Sequence, residues 1–229
     1  MSVLVVDDHA TLVDSIGRAL RTEGFVAHAA EPSSAAAVLE EAARLGPTVA
    51  LTALDLGSED FTGLDLIGPL VALGIRVVVL TSWRDRLLSA ASLEAGASGI
   101  VWKSGSFADV VTLLRRVAIG ETTADPLEAD ELRRELRQSR HAHAERLAPF
   151  GRLSGRERDV LAALVDGQSA EAIAAISYVS IATVRSQIQA VLRKLEVKSQ
   201  LEAVAAATRC GWSGHGPTPM VRYSATLRL

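Results

Sequence analysis

A single cysteine, Cys210, in 229 residues excludes an intramolecular disulfide and gives no sign of an oxidising compartment. Long apolar runs are also missing. None approaches the ~20 residues needed to cross a bilayer as a helix. The first residues pass straight into the strand-like run Val3–Val6 and two aspartates, unlike a secretory leader. A soluble, cytoplasmic protein with no membrane partner is therefore expected. Histidines are few. His141 and His143 are too close in sequence to face one site on a helix and lack partners, so no zinc site is expected. His9 beside Asp7 and Asp8 is read as a satisfied turn residue, since a hard cation prefers oxygen.

Charge is unevenly spread. Residues 1–120 hold nine Lys and Arg against fourteen Asp and Glu, residues 121–150 five against seven, and residues 151–229 ten against six. An acidic front suits a metal ion or a cationic surface, and a basic back suits a polyanion. The basic excess alone is too small to imply nucleic acid.

The first 120 residues alternate short apolar runs with helical patterns. Strands are predicted near 3–6, 25–29, 49–54, 76–80 and 99–102, with helices near 11–22, 33–45, 63–73, 84–95 and 107–119. Gly24, Gly46, Gly74 and Gly96 fall where each helix should stop before the next strand. Five such units make a doubly wound, five-stranded parallel sheet of the α/β class.

Residues 121–150 are predicted as a linker helix, opened by Asp125-Pro126 and ended by Pro149 and Gly151. Leu132 and Leu136 share one face, and Asp130 and Arg134 have i,i+4 spacing. With so few heptads the segment reads as a solvated connector rather than a dimerising coiled coil. Residues 151–210 form an all-α block, with helices predicted at 155–166, 170–176, 181–195 and 200–208. Ser154-x-x-Glu157 and Ser199-x-x-Glu202 are capping-box patterns, and Ser169 and Ser180 can cap the other two helices. The tail, 211–229, is rich in Gly and Pro, then alternates like a strand from Val221; no role follows from it.

The predicted strands end on polar residues suited to phosphoryl chemistry: Asp7-Asp8, Asp55, Thr81-Ser82 and Lys103. In an open parallel sheet these ends share one edge, where ligands bind. Mg²⁺ would relieve the repulsion between an attacking carboxylate and a phosphoryl donor. Asp7 and Asp8 would supply metal charge, and Asp55 would be ligand and nucleophile. Lys103 and the Thr81 hydroxyl would receive the new phosphoryl oxygens.

On these motifs residues 1–120 resemble the receiver domain of bacterial two-component response regulators. The 26 residues from Asp55 to Thr81 and the 22 from Thr81 to Lys103 are close to that family's intervals, and Gly63-Leu64 and Gly96-Ala97-Ser98-Gly99 also fit. The resemblance implies that Asp55 accepts phosphate from a sensor histidine kinase. It also implies the Gly57 carbonyl as a third protein ligand to Mg²⁺. Two positions depart from the pattern: Glu59 stands where a proline is usual, and Ile100 where an aromatic switch residue is usual. Trp83 and Trp102 read as core residues.

The block Leu153–Leu195, with Leu153-Ser-Gly-Arg-Glu-Arg-Asp-Val-Leu161 and Ser180-Ile-Ala-Thr-Val-Arg185, resembles the LuxR/NarL-type helix-turn-helix domain. Val184, Ile188, Val191 and Leu195 would seat the recognition helix. Arg185, Ser186 and Gln189 would face base edges of double-stranded DNA, with Arg193 and Lys194 on phosphate. Gln187 replaces the family's histidine. A homodimer is expected, paired through the last helix around Val204.

The same residues admit two rival readings. One keeps the fold but places it under ligand or partner control without phosphorylation, as Ile100 and Glu59 would suit. The other is a haloacid-dehalogenase-like phosphohydrolase. It requires a second aspartate two residues after Asp55, and Gly57 stands there.

Overall fold

The computed structural model describes residues 1–82, 84–121 and 126–214. Trp83 and the alternating segment from Val221 lie outside the described residues. The elements run in the order β1 Ser2–Val6, α1 Ala10–Thr22, β2 Val26–Ala30, α2 Ala35–Leu45, β3 Val49–Ala53 and α3 Gly63–Ala72. They continue with β4 Arg76–Thr81, α4 Arg86–Glu94, β5 Gly99–Trp102 and α5 Phe107–Ala118. Then come α6 Pro126–Gly151, α7 Gly155–Val165, α8 Ala170–Ser177, α9 Ile181–Leu195 and α10 Gln200–Arg209.

The five strands are all parallel, in the order β2-β1-β3-β4-β5. Both sheet faces are covered, so the strands can be apolar throughout rather than alternating. Val3, Val5, Val49, Leu51, Val78, Leu80 and Val101 join one core cluster with Val13, Ile16 and Leu20 of α1 and Val110, Leu114 and Val117 of α5. Leu4, Val6, Ala50, Val77 and Val79 point the other way and are equally buried. Each of the four glycines expected at helix ends has a positive φ. Order β2-β1-β3 reverses chain direction across the sheet between β1 and β3, which is where such folds bind ligands.

Two compact units divide at Arg137 and Gln138, inside α6 and inside the segment expected as a linker. In the first unit α6 is not a solvated connector. Leu132 and Leu136 are buried with Ala90 and Ala91 of α4, and Arg86 Nε and Nη2 reach both carboxylate oxygens of Glu135 at 2.8–3.2 Å. The two leucines find an apolar face on α4, whose alanines leave room for them. The Asp130 carboxylate meets Arg133 at 3.0 Å, while Arg134 donates to the Asp130 backbone carbonyl instead. The helix ends at Gly151 as expected, with Pro149 inside its last turn. This last turn carries Phe150 into the second core, where its ring stacks on Trp212 with centroids 5.5 Å apart.

The second unit is the expected helical block. Ser154, Ser169, Ser180 and Ser199 each accept a backbone N–H at a helix start. The Ser154–Glu157 box is reciprocal. That of Ser199 is not, because Glu202 accepts from Lys198 N at 2.8 Å instead. Val184, Ile188, Val191 and Leu195 are buried, each contributing about 1.5–3 kcal/mol of apolar transfer. Ala203 and Ala207 of α10 are fully buried in this same core, and Val204 packs against it.

Candidate functional site

Register brings the polar residues to one edge. Val6 pairs with Thr52, Thr52 with Val79, and Val79 with Ile100, so the next residues of each strand leave the sheet at one level. Asp7 is buried and its Oδ2 lies 2.5 Å from Lys103 Nζ. Lys103 is positioned by its backbone N–H, which donates to the Thr81 carbonyl at 2.7 Å. Burial pushes the Asp7 carboxyl upward, but Lys103 and the His9 N–H outweigh it and hold the group below the usual aspartate value.

Asp8 and Asp55 are exposed at the mouth. Gly57 has φ +65° and donates from its N–H to Asp55 Oδ1 at 3.1 Å. A Cβ at position 57 would meet Asp8 Oδ2 at 2.9 Å, so only glycine lets this backbone lie against the carboxylate. Gly63 is similarly constrained, since a Cβ there would overlap the Ala53 carbonyl; its N–H donates to the Leu54 carbonyl at 2.9 Å. The β3–α3 loop carrying Asp55 is thus pinned at both ends. Carboxylates are hard oxygen donors, and the chemistry of Asp7, Asp8 and Asp55 fits Mg²⁺.

His9 is satisfied, but by the acidic pair itself. Its Nδ1 lies 2.7 Å from Asp8 Oδ1 and 3.1 Å from Asp7 Oδ1. The Asp8 contact, then Asp7, raises the imidazole pKa. Potential ligand atoms of Asp7, Asp8 and His9 all lie within 4.8 Å of one another. Adjacency in sequence was the signal that could have found this. Ile100 lines an open groove of about 330 Å³ between β5 and α5, with Trp102, Thr112, Leu113 and Arg116. Trp102 is not a core residue: it is half-buried, with Arg84 Cζ 5.5 Å from its ring centroid. Glu59 is exposed on the loop after Asp55.

In the second unit Arg185, Ser186, Gln189 and Arg193 are exposed on α9, opposite its buried stripe. Arg185 Nη2 lies 3.4 Å from Glu171 Oε1 of α8. Lys194 turns inward instead. Its Nζ lies 2.6 Å from Glu157 Oε2, the same oxygen that accepts from Ser154 N in the α7 capping box. Lys194, then Ser154 N–H, hold the Glu157 carboxyl below the usual glutamate value. The reason is position: Lys194 is next to the buried Leu195, and the partly buried Glu157 needs a cation. Sequence reasoning missed this pair and the Glu171–Arg185 pair, since nothing local links residues that far apart.

Comparison with known proteins gives the same division. Residues 3–115 match the response regulator receiver domain, and residues 152–207 match the bacterial regulatory proteins of the luxR family. The chain belongs to the response regulators that join a receiver to a LuxR-type DNA-binding domain. A probable transcriptional regulatory protein NarL of Mycobacterium tuberculosis is 32% identical over 209 residues, covering 90% of this chain and 93% of its own length. The response regulator protein VraR of Staphylococcus aureus is 27% identical over 206 residues, covering 89% of this chain and 94% of its own. A solved LuxR-family response regulator from an Aurantimonas species superposes with a TM-score of 0.50 at 23% identity, covering 58% of this chain and 96% of its own. No described helix is long and apolar enough to cross a membrane.

Proposed function

We propose that Asp55 is the phosphoacceptor of this regulator and that phosphorylation changes how a homodimer binds double-stranded DNA in the cytoplasm. The observation that supports it most is the Lys103–Asp7 ion pair at the strand ends that also expose Asp55. Asp7, Asp8, Asp55 and the Gly57 carbonyl would hold Mg²⁺, which when bound offsets the repulsion between carboxylate and phosphoryl oxygens. An Asp55 oxygen attacks the phosphorus of a phosphohistidine on the sensor kinase. The P–N bond breaks, the imidazole nitrogen keeps the electron pair, and Asp55 becomes an acyl phosphate. Lys103, partly exposed, then shares its charge with a phosphoryl oxygen, and the Thr81 hydroxyl donates to another.

On the output side Arg185 and Gln189 suit guanine and adenine edges, with Ser186 between them and Arg193 on phosphate. One helix-turn-helix makes few base contacts, so two half-sites are read by a pair of chains, joined through α10. Transcriptional control, not turnover of an external substrate, is the activity. Gly57 in place of a second carboxylate supports this.

The decisive experiment is intact mass after incubation with Mg²⁺ and a small phosphodonor. A gain of one phosphoryl group in the parent, absent from Asp55→Asn, is expected; equal labelling of both would sink the assignment. No labelling of the parent would favour control by ligand or partner. The open groove beside Ile100 is the observation on that side.

A further inference from the structure

Ten large apolar side chains stand exposed among the described residues, and four of them fall in one six-residue stretch. These are Ile176, Tyr178, Val179 and Ile181, at 65, 95, 41 and 41% exposure, running from the end of α8 through the turn to the first residue of α9. Tyr178 also has φ +55°, a left-handed conformation shared among described non-glycine residues only with Glu196. The end of α8 imposes it. The N–H groups of Tyr178 and Val179 both donate to the Ala174 carbonyl, and Ser180 caps α9 two residues later. Glycine would occupy this position without strain. Folding gains little from a tyrosine whose ring is in water and whose backbone lies where side chains resist it. An outlier of this kind points outward, to something the surface binds.

Position identifies the partner. Ile181 lies about one helical turn before Arg185 and two before Gln189, on one exposed stripe of α9. The start of such a helix is the part that reaches base edges. From Ala172 to Leu195 there is no Asp or Glu, while Arg185 and Arg193 are exposed on α9; Lys194 is held by Glu157. The preceding carboxylate, Glu171, is occupied by Arg185. Ile176 and Val179 border a pocket that also holds Asp159 and Asp166, so the polyanion-facing part of this apolar tip is Tyr178 and Ile181, on the side of Arg185 and Arg193.

We infer that this tip is part of the DNA-reading face. Ile181 packs on the 5-methyl group of a thymine in the major groove, and the Tyr178 hydroxyl donates to a neighbouring backbone phosphate. The inference rests on the reading of α9 as the recognition helix and adds a base type that Arg185 and Gln189 do not read. Isoleucine offers no donor or acceptor, so its discrimination can come only from the methyl group.

Duplexes selected by the full-length parent from a random pool supply the probe. Each thymine is then replaced singly by deoxyuridine, which removes one methyl. At one thymine per half-site, the parent is expected to lose affinity about fourfold, the value of one buried carbon. Ile181→Ser should show no such loss there. Tyr178→Gly should melt at or above the parent's Tm yet bind selected and random duplexes about tenfold more weakly, a loss Tyr178→Phe shares. Identical deoxyuridine scans for parent and Ile181→Ser overturn the methyl contact, and full affinity in Tyr178→Phe overturns the phosphate contact. If Arg185→Ala loses discrimination while the Ile181 and Tyr178 variants bind like the parent, this inference falls alone and the patch belongs to a protein partner. A parent that selects no sequence overturns the reading of α9 and this inference together.

Discussion

The strand-end pocket and α9 hold charge in opposite ways. Asp7 has a fully buried side chain with Lys103, 21% exposed, fixed against it, whereas Arg185 and Glu171 pair at 69 and 58% exposure. In the pocket, poor solvation makes each charge depend on its neighbour, so the arrangement would be set before the proposed phosphoryl group arrives. On α9, water screens the pair, which is worth about 0–1 kcal/mol, so Arg185 would be readily given up to a base in the proposed complex. Transfer chemistry calls for charges already arranged; groove recognition calls for charges still available. Lys194 shows that a basic residue can sit on the second element and follow the first logic, because Glu157 is partly buried.

The largest expected effect is all-or-none. Asp55→Asn should abolish phosphoryl incorporation from a small donor, read by intact mass, while leaving the fold unchanged by circular dichroism. Next is Lys103→Gln, which leaves the buried Asp7 oxygen without its cation. A loss of about 1–3 kcal/mol is expected for the first unit in denaturant titration. The Asp7 carboxyl should also titrate higher than in the parent by NMR, because burial is then opposed only by His9. An unchanged Asp7 titration would show that the pocket is not organised by this pair.

Arg185→Ala should cost about 1–3 kcal/mol of discrimination between selected and random duplexes. Arg193→Ala should weaken both alike and reduce the salt slope by about 1. Lys194→Ala sharpens the comparison: it should lower the stability of the second unit and leave the salt slope alone. Its partner fixes the pH dependence. Glu157 has a depressed pKa in the folded chain, so its pair stabilises at pH above the ordinary glutamate value and is lost as pH falls through the depressed one. The stability gap between parent and Lys194→Ala should therefore close on acidification, and a gap that persists would break the assignment. Smallest of all, Glu135→Gln removes an exposed pair with Arg86 and should cost under about 1 kcal/mol, with Leu136 still holding α6 to α4.

Some of this was legible before any coordinates. The strand ends, the helix starts at Ser154, Ser169, Ser180 and Ser199, and the buried stripe of α9 are near-neighbour properties. Periodicity and caps act over three or four residues, so the chain states them directly. The docking of Leu132 and Leu136 was not legible, because their partners Ala90 and Ala91 lie far earlier in the chain.

From the sequence alone came the five βα units, the four capped helices and the placing of Asp7, Asp8, Asp55, Thr81 and Lys103 at strand ends. Each follows from local periodicity together with the handedness that parallel strands impose. Tertiary structure alone decided whom the distant charges meet: Lys103 with Asp7, Lys194 with Glu157 and Arg185 with Glu171. It also decided that Leu132 and Leu136 dock on α4 rather than face water. Those pairings join residues up to 96 positions apart, and the Lys103–Asp7 pair is the widest of them. Only packing sets which side chains become neighbours over such separations, and burial then sets how strongly they interact.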